Sequence, residues 1–358
     1  MINNPDLDDP RVYKQYDPEG MLAHLHKMPE LCRQAWRTAM NFDLPRDYTE
    51  ISKVVILGMG GSAIGGDLAS NLVASEAKLP ILVHRNYNLP ASIDSETLVI
   101  ASSYSGMTEE ILSSFEQALE TDSKKLVITT GGRLKIMAAE RKIPVFIFDY
   151  KAPPRAALPF SLLPIIGFLQ RLGFISDKSA DVTETAEVLE KLSQRINEGV
   201  PLPRNPAKQL AHRLYSRLPI IYGAGILSGV ARRWKTQLNE NSKAWAFYEV
   251  FPELNHNAVV GYQFPPELAG KIMIILLRSA HLHKRIQLRH QVTCRLLEQA
   301  RVNYQIVDGE GTSQLSQLMS LVLFGDYISY YLAIMHKVDP SPVKAIDYLK
   351  EQLNDSKS

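Results

Sequence analysis

Two short runs of glycine and hydroxyl residues carry the first chemical signal in this chain. Gly58-Met59-Gly60-Gly61-Ser62-Ala63 follows a β-branched stretch and precedes a helical pattern. A helix start there offers unpaired N–H groups and the positive end of the dipole, and glycines let the backbone approach an anion closely. Ser102-Ser103-Tyr104-Ser105-Gly106-Met107-Thr108-Glu109-Glu110 stands in the same relation to a later strand and helix. Ser105 or Thr108 is a natural cap for that helix, with Glu109 and Glu110 favouring its positive end; capping accounts for one hydroxyl and leaves the others. Neither run has a P-loop lysine, so the pattern suits a compact sugar phosphate better than a nucleoside triphosphate. The Gly58-x-Gly60-x-x-Ala63 spacing also fits a dinucleotide turn. That reading needs a carboxylate at the end of the second strand, and His84-Arg85-Asn86-Tyr87 supplies none.

Groups able to move a proton or steady a charge lie further along. Gln237-Leu238-Asn239-Glu240-Asn241-Ser242-Lys243 closes a predicted helix. A glutamate there meets the negative end of the dipole, which makes it a better proton acceptor, though an exposed surface carboxylate is the ordinary fate of such a residue. Glu253-Leu254-Asn255-His256-Asn257-Ala258 places a histidine in a polar loop, where solvation is commoner than catalysis. Ala152-Pro153-Pro154-Arg155 stiffens the approach to an arginine, whose aliphatic stem could equally lie along a sheet edge. Near the end, Val343, Ile346 and Leu349 fall three apart on one helical face, leaving Lys344 and Lys350 as solvated lysines by default. The histidines at 281, 283 and 290 mix a turn with a helix and lack a carboxylate, so they read as structural, with no metal site. Arg232-Arg233-x-Lys235 reads as the wet side of a helix.

The elements that must position these residues come from hydrophobic periodicity. Val54–Leu57, Ile81–Val83, Thr97–Ala101, Lys125–Thr129 and Pro144–Phe148 are short continuous apolar runs. They alternate with amphipathic stretches such as Thr108–Glu120, which predicts an α/β, doubly wound parallel sheet covered on both faces. A helix is expected over about Ser179–Asn197 and a proline-rich linker over Gly199–Pro206. The opening pattern then recurs: Pro219–Tyr222 runs into Gly223-Ala224-Gly225, with a helix from about Leu227 to Leu238. A strand over Lys271–Leu277, a helix over about Lys284–Arg301 and a strand over Tyr304–Val307 come next. The expected organisation is therefore duplicated: a phosphate-binding domain over 1–175, a linking helix over 176–198, and a second domain over 199–358.

Composition narrows the class. The chain has 358 residues, 45% hydrophobic and 22% charged, at a formal net charge of +2, so no broad basic field points to nucleic acid or anionic lipid. Cys32 and Cys294 form neither a disulfide framework nor a C-x-x-C pair. The N-terminus lacks the basic and apolar regions of a signal peptide. Pro164 and Asp326 break the longest apolar stretches, Leu158–Leu169 and Leu321–Met335, so the expectation is a cytoplasmic protein without a membrane partner.

Taken together, Gly-x-Gly-Gly-Ser and Ser-x-Ser-Gly-x-Thr in a duplicated α/β frame resemble the sugar isomerase (SIS) domain. Over about 41–350 the chain is similar to the bifunctional phosphoglucose/phosphomannose isomerases of archaea and bacteria. The resemblance implies two SIS domains and a hexose 6-phosphate substrate, its phosphate held by Gly60, Gly61, Ser62, Ser103, Ser105 and Thr108. It also implies aldose–ketose isomerisation through a cis-enediolate, with no metal and no cofactor. Asn-Glu-Asn-Ser-Lys matches the family's base motif and makes Glu240 the base. Arg155 then steadies the enediolate, while His256 and Lys350 assist ring opening, His256 reaching the site of a neighbouring subunit in a homodimer. Met107 replaces the family's commoner Asn. Val343 stands where some relatives have a threonine linked to accepting both C2 epimers, which leaves the mannose activity less secure than the glucose activity. Two rivals remain: a non-catalytic sugar-phosphate regulator, and a nicotinamide enzyme using the 58–63 turn.

Overall fold

Two N-terminal helices, α1 (Pro10–Tyr16) and α2 (Met21–Met40), precede the first sheet in a computed structural model that describes residues 5–355. The outermost residues of the expected terminal domains, 1–4 and 356–358, lie outside the described residues, the start of the N-terminus read for a signal peptide among them. The short apolar runs of the first half form five parallel strands: β1 (Lys53–Leu57), β2 (Ile81–His84), β3 (Thr97–Ser102), β4 (Lys124–Thr129) and β5 (Val145–Ile147). Their order is β2-β1-β3-β4-β5. The connections reverse direction between β1 and β3, where Leu57 pairs with Ala101, and this switch point is where open α/β sheets bind ligands.

Helices α3 (Gly60–Val73), α4 (Glu109–Leu119) and α5 (Gly132–Glu140) connect these strands, and α6 (Leu158–Arg171) and α7 (Ser179–Ile196) come after them. Ile111 and Phe115 of α4 and Leu134 of α5 cover one face, packing on Val55, Val99 and Val127. The expected proline linker is short: a 3₁₀ turn at Leu202–Arg204 leads into α8 (Pro206–Leu214), which Asn205 caps through the Ala207 and Lys208 N–H groups.

The second half repeats the plan. Strands β6 (Leu218–Ala224), β7 (Phe247–Phe251), β8 (Ile272–Arg278) and β9 (Asn303–Asp308) are parallel, in the order β7-β6-β8-β9. Renumbered within its own half, this winding is that of the first four strands, so the duplication expected from pattern is present in the topology. Helix α9 (Ser228–Glu240) joins β6 to β7, and α10 (Lys284–Gln299) joins β8 to β9. The chain ends in α11 (Gln314–Met335) and α12 (Lys344–Asp355).

The inner faces of both sheets share one continuous core built from α2, α3, α6, α7, α8, α9 and α11. Helices α3 and α9 cross closely at Gly229, whose N–H donates to Asn71 Oδ1 at 2.8 Å and where a Cβ would stand 3.0 Å from that oxygen. Helix α11 is long and apolar enough to cross a membrane, yet it is wholly buried inside the fold. Its lone charge, Asp326, accepts from Arg233 at 2.7 Å and from the Gln237 amide at 2.9 Å. This corrects the reading of 232–235 as a wet face: Arg233 is buried at 1% exposure, while Arg232 and Lys235 remain partly exposed. An ion pair so deep in a core holds α9 to α11 by direction as well as by contact.

Candidate active site

The two hydroxyl loops stand side by side at the carboxyl edge of the first sheet. Gly60 adopts φ +48 at the start of α3, and Met59 at the N-cap makes no side-chain cap bond, leaving that helix start to whatever ligand approaches. The Tyr104 N–H donates to Ser62 Oγ at 3.2 Å, joining one loop to the other. Thr108 occupies the N-cap of α4 without capping it. Its hydroxyl instead bonds Ser103 Oγ at 2.8 Å, and Ser103 Oγ also accepts the Gly106 N–H at 3.2 Å. The capping role considered for Ser105 is likewise replaced: Ser105 Oγ accepts the Met107 N–H at 3.2 Å. Gly106 has φ +64, and a Cβ there would collide with the Gly131 carbonyl, so the bend admits only glycine. Met107 is 59% exposed, its sulfur accepting the Arg133 N–H, so the residue that departs from the family's usual Asn leaves the hydroxyl cluster intact.

Arg155 ties these loops to the second half. It lies in a 3₁₀ turn at Pro154–Ala157 after β5. A Cβ on Gly61 would meet its backbone N and Cα at 3.3 Å, so the glycine lets the anion loop press directly on this turn. The Arg155 side chain, 3% exposed, points across the molecule. Nε donates to Asn241 Oδ1 at 2.6 Å, and Nη2 donates to the carbonyls of Pro340 and Ser341 at 2.6 and 2.8 Å. Nη1 faces Glu240 Oε2 at 3.5 Å. Burial pushes the guanidinium below its ordinary pKa, and Glu240 pulls it back up. A guanidinium has five N–H donors, so one Nη1 hydrogen has no partner among the described residues.

Glu240 is the last residue of α9, and its two C-terminal neighbours hold it in place. Asn241 Nδ2 donates to Ser329 Oγ at 3.0 Å and Ser242 Oγ donates to the Ser329 carbonyl at 2.7 Å, so α11 fixes both. Glu240 lines a cavity of about 730 Å³ with Asn239, Lys243, Trp245, Asp339, Val343 and Lys344 among the other walls. Val343 is thus beside the expected base. Lys344 is in this wall and Lys350 is not; all of α12 from Lys344 to Leu353 is exposed.

The remaining expected residue is elsewhere. Helix α9 carries the chain back to the amino edge of the second sheet, about 20 Å for its 13 residues. Strand β7 then returns to the carboxyl edge, about 17 Å for 5 residues, before His256. His256 is exposed in a 3₁₀ turn at Glu253–His256 and is not brought to the Glu240 of its own chain. His290 is buried against Phe251, His283 caps α10, and among the described residues no group of three His, Cys, Asp or Glu converges.

Comparison with known proteins gives the family. Residues 203–353 match the family described as the bacterial phospho-glucose isomerase C-terminal SIS domain. The chain is 41% identical over 338 residues to a bifunctional phosphoglucose/phosphomannose isomerase of Caldicellulosiruptor bescii, covering 94% of this chain and 100% of that one. The chain belongs to the bifunctional phosphoglucose/phosphomannose isomerase family. A relative of the same description from Aquifex aeolicus is 36% identical over 87% of this chain and 93% of its own. In fold, the C-terminal domain of glucosamine-fructose-6-phosphate aminotransferase from Francisella tularensis is similar at a TM-score of 0.70 and 14% identity, covering 90% of this chain and 98% of that domain. Both halves are accordingly SIS-type α/β domains. Within this isomerase family frame, three residues that bind the site together carry little or no signal in the sequence. Tyr104 has an ordinary aromatic's spacing; its hydroxyl donates to the Tyr150 carbonyl and accepts the Ala152 N–H, bracing the approach to Arg155. Asn241 is visible only as part of a motif. Asp326 carries the one usable signal, a lone charge inside an apolar run.

Proposed function

We propose that this chain interconverts glucose 6-phosphate, and mannose 6-phosphate, with fructose 6-phosphate. Residues 1–175 form the phosphate-binding domain, 176–198 the linking helix, and 199–358 the domain that supplies the base. The phosphate is held by the Gly60 and Gly61 N–H groups with Ser62, Ser103, Ser105 and Thr108. The single observation that carries this reading is Arg155, whose backbone packs on Gly61 and whose guanidinium faces Glu240. A ligand anchored on the loops therefore has the carboxylate within one arginine's length.

After ring opening, the Glu240 carboxylate takes the proton from C2 of the aldose. The electron pair forms the C1–C2 double bond, and negative charge moves to the oxygen on C1. Arg155 offers its remaining Nη1 hydrogen to that charge; a proton passes from the oxygen on C2 to the oxygen on C1, the C2 oxygen's electron pair re-forms a carbonyl, and Glu240 returns its proton to C1 to give the ketose. General base catalysis of this kind contributes roughly 10²–10⁴-fold. The residues present supply acid, base and cation for the whole sequence, so the reading needs no cofactor or metal.

Ring opening is assigned to His256 and Lys350. The opposite placement of His256 and Glu240 on the second sheet supports a role for this histidine in a neighbouring copy, with a homodimer in the cytoplasm as the proposed working unit. The exposed apolar side chains of α12, Ile346, Leu349 and Leu353, favour a covering partner.

A coupled assay offering glucose 6-phosphate and mannose 6-phosphate separately, with chelator present, tests the proposal. Turnover of both is expected, with glucose 6-phosphate the better substrate because Val343 lacks a hydroxyl. Turnover of neither overturns it.

A further inference from the structure

Lys243 is the one cation in the Glu240 cavity that holds a left-handed backbone, with φ +54. The same left-handed turn follows helices at Lys142, Ser216, Arg301 and Lys337, so the conformation itself is that of a helix end. The bend turns the ammonium back onto the end of α9. Nζ donates to the Glu240 carbonyl at 2.5 Å and to the Pro340 carbonyl at 3.2 Å. An ammonium has three donors, so the third N–H has no partner among the described residues, while the side chain forms part of the wall beside Glu240. Arg155 shares the Pro340 carbonyl and commits four of its five donors, to Asn241, Pro340, Ser341 and Glu240.

The residue as a whole is exposed, with its ammonium end set against the Glu240 and Pro340 carbonyls. There burial, assisted by the positive charge of Arg155, pushes the amine down to about 8. The other charged groups around it are Asp339 and Lys344 from the segment leading into α12, Glu19 from the turn before α2, and Glu240 itself. What sets it apart from those helix ends is its place: a cation with an uncommitted N–H in the cavity wall beside a carboxylate can meet negative charge that develops on a bound ligand.

We propose that Lys243 is a further catalytic cation, its third N–H binding the sugar oxygen on which negative charge develops as Glu240 moves the proton. This rests on the isomerase reading above. Lys243 stays protonated throughout: the proton lost from C2 goes to Glu240 and then to C1, and the ammonium contributes only a hydrogen bond and charge. Turnover therefore falls as pH rises through the region in which the ammonium is lost.

The test compares wild type with Lys243→Arg, Lys243→Met and Lys243→Gly, measuring kcat and KM for glucose 6-phosphate from about pH 6 to about pH 9.5, with Tm alongside. Lys243→Met and Lys243→Gly should lose kcat by at least about tenfold, with KM changed by less than about threefold. Lys243→Arg should retain most of the activity and carry the alkaline limb upward, because a guanidinium keeps its proton. Lys243→Gly should melt no lower than wild type, since glycine suits the positive φ. Near-normal kcat in the Met and Gly variants, an alkaline limb unmoved by arginine, or activity lost only in proportion to Tm each overturns the assignment. Wild type inactive on both hexose phosphates overturns the isomerase reading, and this assignment with it; active wild type with indifferent variants overturns Lys243 alone.

Discussion

Arg155 Nη1 stands 3.5 Å from Glu240 Oε2, joining the first half of the chain to the end of α9 in the second. The same arginine fixes Asn241, Pro340 and Ser341. Its loss thus acts twice, on charge and on position. Arg155→Ala should lower kcat more than it raises KM, because its partner charge develops only in the transition state. It should also cost about 2–4 kcal/mol of stability, from acceptors left unpaired in the interior. Arg155→Lys restores charge without the fork and should recover less than half of kcat, roughly. Steady-state kinetics with thermal melts check both effects; a change confined to KM contradicts the charge role.

On the proposed reading, the hydroxyl pair Ser103–Thr108 serves ground-state binding. Ser103→Ala removes one of two acceptors of the Gly106 N–H, the other being the Ser103 carbonyl, and the partner of Thr108. KM for either hexose phosphate should rise about tenfold, with kcat changed little. A kcat effect with unchanged KM would move this loop from the phosphate to the reacting carbons.

His290 makes a pH prediction. It is buried with neither ring nitrogen partnered among the described residues, and burial, with nearby Arg278, pushes it down to about 4 from 6.5. The unfolded chain takes up this proton first as pH falls, so stability declines between about pH 6.5 and about pH 4, by about 3 kcal/mol from this group. His290→Leu removes the group and should flatten that limb while leaving stability near pH 7 unchanged or higher. Urea unfolding at pH 7 and pH 4.5 measures it. Parallel acid limbs in the two proteins would exclude His290 as their source.

Lys208 fastens the N-terminal segment. Its fully buried ammonium donates to the Leu7 carbonyl at 2.7 Å, and to Asp8 Oδ1 and the Glu198 carbonyl at 2.9 Å. Lys208→Met should cost about 3 kcal/mol and leave KM unchanged, since these contacts are remote from the hydroxyl loops. Unaltered stability would mean that α1 docks without the lysine.

Range decides which features are legible in the sequence. Strands such as β1 and β3 are legible because continuous β-branched runs mark strands buried on both faces, and the glycine and hydroxyl bends are legible because a bend is local. Strand β7 is not: Phe247-Tyr248-Glu249-Val250-Phe251 is a half-exposed edge strand with a charge at its centre. Helix α5 is hard to read because few of its residues are buried. Thr108 occupies its expected cap position, but its hydroxyl turns to Ser103, a choice made by the neighbouring loop and invisible in the helix signature. Pairings such as Arg155 with Glu240 or Arg233 with Asp326 depend on how α9 and α11 pack, which no local pattern encodes.

The most direct measurement of the central claim is solvent-hydrogen exchange into fructose 6-phosphate in deuterium oxide, monitored by NMR for wild type and Glu240→Gln. The account predicts deuterium at C1 with wild type, and exchange at least about a hundredfold slower with Glu240→Gln at unchanged hexose-phosphate affinity. Near-normal exchange in the variant would remove Glu240 as the base.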